Sequence, residues 1–133
     1  MTINGSRLKV VENKTWKVWL REDGILHAVM QPLAIMDLDV SQELVETYGK
    51  LSGHKGNLVL ADLSNIKSTT KAAREYAASP ASVAMIKAIA LIIRSPTSQV
   101  IGNIFLRINQ PAYPSRMFTS ETEAIAWLNT HRA

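Results

Sequence analysis

The sequence predicts one α/β domain with a largely parallel or mixed sheet, and three observations carry that reading. Two continuous apolar runs, Leu58–Ala61 and Ala88–Ile93, read as strands covered on both faces. Segments of helical periodicity alternate with them, as crossovers between parallel strands require. Ahead of both stands a hairpin, marked by the alternation of Trp16–Leu20 and by Asp23-Gly24.

The elements follow in order. Trp16-Lys-Val-Trp-Leu20 is the first strand and Ile25–Met30 its antiparallel return. Trp16 and Trp19 fall on opposite faces, so one belongs to the core and the other lies outward, as a partner surface or under a flanking segment. Pro32 and Asp37-Leu-Asp39 end the hairpin. Asp39, with Gln42 three residues on, is expected to cap the first helix, whose buried stripe is Val40, Leu44, Tyr48 and Leu51 and whose end is Gly53. After the Leu58–Ala61 strand, Thr69 or Thr70 caps a helix to about Ala78, and Ser79-Pro80 restarts one.

Ser95-Pro96 opens the next helix in the same way, after the Ala88–Ile93 strand. Val100, Ile101, Ile104, Phe105 and Ile108 are expected to form its buried face, and Gly102 to mark close packing against the sheet. Pro111 and Pro114 stiffen the connection to a last short strand, Arg116–Phe118. Ser120 and Glu123 form a capping box for the final helix, with Ala124, Ile125 and Leu128 inward.

Composition bounds the function. At 133 residues, 47% hydrophobic and 20% charged, the chain is one domain, 1–133, with a real core. It has no cysteine, which removes disulfides, thiolate metal sites and cysteine nucleophiles and suits a reducing compartment. Met1-Thr-Ile-Asn-Gly5 shows no signal-peptide pattern, and the longest apolar stretch, Val83–Ile93, is far short of the roughly 20 residues a membrane helix needs. A cytoplasmic protein is expected, with no membrane partner. The net charge of +4 is scattered, without a Lys/Arg run, so nucleic acid is not an expected partner.

Leu58-Val-Leu-Ala-Asp-Leu-Ser-Asn-Ile66 is similar to the central strand of the STAS, or SpoIIAA-like, class, which includes anti-sigma-factor antagonists. The stretches Ile92–Leu106 and Pro111–Leu128 resemble a group of small bacterial proteins described as STAS/SEC14-like. The resemblance implies a β-β-α-β-α-β-α-β-α order and a mixed four- to five-stranded sheet. Antagonists of that class carry a phosphorylatable Ser in an Asp-Ser-Ser/Thr-Gly motif. The matching stretch here, Thr70-Lys-Ala-Ala73, lacks the Asp, the Ser and the Gly, so the phosphoserine switch is not carried over.

No catalytic residues are assigned. Gly-x-Ser-x-Gly, P-loop and Gly-x-Gly-x-x-Gly patterns are absent, and Ser64 has no base at motif spacing. His27, His54 and His131 are scattered, so neither metal nor other cofactor is expected. Asp37 and Asp39 read as cap residues. The candidate site is an anion or partner site at the carboxyl ends of the strands, where open α/β sheets bind ligands. Its residues are Lys67, Thr69, Thr70, Lys71, Arg74, Arg94, Ser95 and Thr97, with the helix starts after Thr70 and Ser95 supplying N–H groups. The expected function is a non-enzymatic regulatory or protein-interaction module, binding a protein partner or a small anionic ligand; a homodimer is compatible with it. The alternative is a small-molecule or lipid-binding domain with an apolar pocket near Ile101 and Phe105.

Overall fold

A computed structural model describes residues 9–132; the Met1–Gly5 stretch weighed for a signal lies outside them. Asn13 starts the architecture. Its Oδ1 accepts from the N–H of Thr15 at 2.9 Å and of Trp16 at 2.8 Å, turning strand β1 (Val10–Glu12) back onto β2 (Trp16–Leu20). Asp23 and Gly24 then turn β2 into β3 (Leu26–Met30), with Gly24 at φ +84°.

From β3 onward the chain crosses over repeatedly. β5 (Asn57–Asp62), β7 (Ile86–Ile92) and β8 (Ser115–Phe118) pair in parallel with β3 and each other, in the order β1-β2-β3-β5-β7-β8. The sheet is mixed, as predicted, but six-stranded rather than four- to five-stranded. Three residues of β1 are too short to show an alternation. A second, two-stranded parallel sheet joins β4 (Ala34–Met36) to β6 (Ile66–Thr69).

The pleat sorts side chains to two cores. The row Val18, Ala28, Ala61, Leu91 and Met117 faces α1 (Leu38–Ser52), α2 (Lys71–Ala77), α3 (Pro80–Met85) and α4 (Pro96–Ile104, continued as a π turn over Phe105–Asn109). The row Trp19, His27, Leu60 and Ala90 faces the side of α5 (Glu121–Asn129), whose Ala124 and Leu128 are fully buried. Trp16 lies in the first core and Trp19 stacks on His27 on the other face, ring centroids 4.3 Å apart.

Several local expectations are corrected. The first helix starts a residue before Asp39, and its cap is Asp37, whose Oδ1 accepts from the Val40 N–H at 2.9 Å. Asp39 sits in the first turn, where its charge suits the dipole. β7 begins at Ile86, directly after α3. Val100 and Ile108, expected inward, are 58% and 73% exposed, because the apolar arc of α4 is wider than the surface it covers. Gly102 does mark close packing: a Cβ there would stand 2.7 Å from the Met117 sulfur.

Candidate functional site

The β4–β6 pair and the starts of α2 and α4 meet beyond the carboxyl ends of β3, β5 and β7. Asp62 Oδ1 accepts from the Ser64 N–H at 2.9 Å and turns the chain out of β5 into β6. Thr70 caps α2 by accepting from the Ala73 N–H at 3.1 Å. Ser95 and Ser98 form a reciprocal capping box at the start of α4, with Pro96 at its first position.

Two surface depressions run between β6–α2 and α4. One is lined by Lys67, Thr69, Arg74, Thr97, Val100 and Ile101; the other by Lys71, Arg74, Glu75, Ile104 and Ile108. Arg74 and Ile104 border both. The exposed apolar side chains of α4 thus form one wall of a groove, and Lys67, Lys71 and Arg74, with Glu75 among them, the other. Lys67 lies on β6 and not on a helix with Lys71 and Arg74, so the three share a groove through strand–helix packing and not through helical spacing.

Arg94 does not join them. It lies two residues beyond Ile92, which packs with the α5 core, and alternation sends it to that side. There its Nε donates to the Thr119 carbonyl oxygen at 3.0 Å and its Nη1 lies 3.7 Å from Asp62 Oδ2. The Thr70 and Ser95 hydroxyls are engaged as caps, and α2 is only seven residues long, so two converging helix starts do not form an anion site here. Lys67, Thr69, Lys71, Arg74 and Thr97 remain together.

Beneath the groove lies an apolar cavity of about 110 Å³. Leu44 and Tyr48 of α1, Ile89 of β7, Ile101 of α4 and Phe105 of the π turn contribute walls. Thr69, Arg74 and Ile101 border both the cavity and the surface depression above. Arg74 Nη1 donates to the Thr69 carbonyl oxygen at 2.9 Å, while its buried Nε has no partner. No carboxylate among the described residues lies within ion-pair distance of this guanidinium.

Two tyrosines reach the cavity. Tyr113 donates its hydroxyl to the Ala77 carbonyl oxygen at 2.7 Å. The Tyr48 hydroxyl makes no hydrogen bond within the described residues, although the residue is 3% exposed. Burial pushes both phenols well above their usual pKa. Sequence periodicity had marked Tyr48 only as a core residue; that its hydroxyl has no partner is set by tertiary packing. Among the described residues no group of three or more His, Asp or Glu side chains is placed to hold a metal ion, and no helix is long and apolar enough to cross a membrane.

A family described as "Domain of unknown function (DUF7793)" matches residues 18–132. The chain belongs to the DUF7793 family. No curated protein matches it. Among solved structures, this DUF7793 domain is similar to an uncharacterised protein of the DUF3478 family with a SpoIIAA-like fold from Shewanella loihica PV-4. The two align over 92% of each chain with a TM-score of 0.54 and 11% identity. It is also similar to a protein of unknown function from Arthrobacter sp. FB24, at 28% identity over 84% of this chain and 97% of the other, with a TM-score of 0.32. The first likeness shows that the DUF7793 domain has a SpoIIAA-like fold, the STAS class.

Proposed function

We propose that this domain is a non-enzymatic binding module of STAS-like type whose working surface is the α2–α4 groove and the cavity below it. The observation that carries the reading is a pair of compartments sharing a wall. An open groove with Lys67, Lys71 and Arg74 on one side and Val100 and Ile108 on the other lies over an apolar cavity lined by Ile101 and Phe105. Small-molecule sites have this composition, mostly apolar with a few placed polar groups. Between a protein partner and a small ligand, the cavity favours the ligand, because a flat protein contact has no use for an apolar recess.

Ser41 borders the cavity and Ser68 the groove; the Ser41 hydroxyl donates to the Ala73 carbonyl oxygen, and neither hydroxyl is hydrogen-bonded to a His, Asp or Glu side chain among the described residues. Ser98 is spent in the α4 cap, and the Ser64 hydroxyl has no partner among the described residues.

Native mass spectrometry of protein freshly purified from its own cell tests the reading. A co-purifying small mass is expected on the wild type and lost from the Lys71→Glu/Arg74→Glu double variant. A clean apo mass on the wild type counts against it.

A further inference from the structure

We propose that Arg74 and the cavity together form a site for a small amphipathic carboxylate, with its head on Arg74 and a tail of about four or five carbons in the cavity. The proposal rests on the reading of groove and cavity as a ligand site, and it adds the chemistry of the ligand.

The cavity dictates the tail. Of the polar groups along its walls, the Ser41 hydroxyl is engaged with the Ala73 carbonyl oxygen and the Tyr113 hydroxyl with Ala77. Apart from the Tyr48 hydroxyl and the Thr69–Arg74 end, what remains is Ala, Leu, Ile, Val, Met and Phe surface, which favours a hydrocarbon. The volume of about 110 Å³ limits its length. Cavities of about 150 Å³ accept the six carbons of benzene, so this one holds a chain of about four or five.

Arg74 dictates the head. Its Nη1 is held by the Thr69 carbonyl oxygen, which fixes the plane of the guanidinium. The opposite edge, Nε and Nη2, makes no hydrogen bond to the described residues, and Nε is buried. Those two N–H groups are parallel and match the two oxygens of a carboxylate; Nε is shut off from solvent as it stands, so a head first held by Nη2 becomes bidentate, and satisfies the orphaned Nε, on a small turn of the guanidinium toward the groove. Lys67 and Lys71 are exposed on the rim and supply a positive approach without reaching into the cavity. Head and tail subsites are adjacent because Arg74 borders both spaces.

Titration calorimetry on the full chain with hexanoate, acetate and 1-hexanol tests this. Hexanoate is expected to bind about tenfold or more tightly than either acetate or hexanol. Arg74→Gln is expected to remove that margin over hexanol while leaving hexanol itself unchanged. Ala73→Leu, which fills the cavity from α2, is expected to weaken hexanoate and hexanol alike; Ala77→Leu on the same lining serves if the first variant loses its native circular dichroism.

Equal affinity for hexanoate and hexanol in the wild type, or an unchanged margin in Arg74→Gln, overturns the proposal. If hexanoate fails while a native mass is still lost from Lys71→Glu/Arg74→Glu, the ligand class is wrong and the groove reading stands. If hexanoate fails and the wild type is a clean apo mass, both fall.

Discussion

Arg74 donates to the Thr69 carbonyl oxygen at 2.9 Å, and this bond ties the last turn of α2 to the end of β6. It also leaves the Arg74 Nε buried without a partner. An unsatisfied buried donor costs about 1–3 kcal/mol, comparable to what the Thr69 bond returns. Arg74→Met, which keeps the apolar stem, is therefore expected to change unfolding free energy by less than about 1 kcal/mol. Urea denaturation checks this. A larger loss would mean that the side chain is held for stability and not for a ligand.

The two cavity tyrosines separate in the same assay. Tyr113→Phe removes the 2.7 Å bond to the Ala77 carbonyl oxygen and is expected to cost about 0.5–1.5 kcal/mol. Tyr48→Phe removes a hydroxyl without a partner among the described residues and is expected to be neutral or stabilising. Reversal of that order would show that the Tyr48 hydroxyl is the one better satisfied.

Gly102 and Met117 set the spacing of α4 from β8. A valine at 102 would put its Cβ where only 2.7 Å separates it from the Met117 sulfur and would add branching beyond. Gly102→Val is expected to destabilise by about 1–3 kcal/mol. Gly102→Ala gains about 1 kcal/mol of helix propensity against a shift of the flexible Met117 chain, and is expected to stay within about 1 kcal/mol of wild type. Thermal unfolding monitored at 222 nm distinguishes the two.

His27 makes stability depend on pH. Burial lowers its pKa from the ordinary 6.5, with Glu121 opposing and Arg21 adding to the effect. The folded state thus binds fewer protons on His27 than the unfolded state does. Its contribution is fully present above about pH 6.5 and is lost as pH falls through that value toward the lower folded pKa. Urea midpoints measured between about pH 7.5 and 5 are expected to fall more steeply for wild type than for His27→Gln. Parallel curves would show that the buried ring is not the group being titrated.

Much of the framework was legible because local signals agreed with it. The apolar runs around Val59 and Ala90 are covered on both faces, and Ser95-Pro96 opens α4 as its chemistry requires. Gly102 showed its close contact in advance through its cost to the helix. The β4–β6 pair was not legible: its strands are three and four residues long and join segments about 30 residues apart across an irregular register. The side taken by Arg94 follows from the strand's face, which shows only once Ile92 is placed against α5. The cavity is a shortfall of packing between α1, α4 and the sheet; a pocket near Ile101 and Phe105 was expected only through the resemblance, and apart from Thr69 and Arg74 the residues along it read as ordinary core or went unremarked. Five of the eight expected site residues line the two depressions; Thr70 and Ser95 cap their helices as expected but do not line the groove, and Arg94 faces away.

The central claim is that a ligand's apolar part enters the cavity under Arg74. Methyl-resolved NMR of the full chain titrated with hexanoate tests it directly. The Leu44, Val45 and Ile101 methyls along the cavity are expected to shift together and saturate, while Leu60 and Leu128 in the α5 core stay fixed. Shifts confined to the exposed Val100 and Ile108 methyls, or none at all, would contradict the claim.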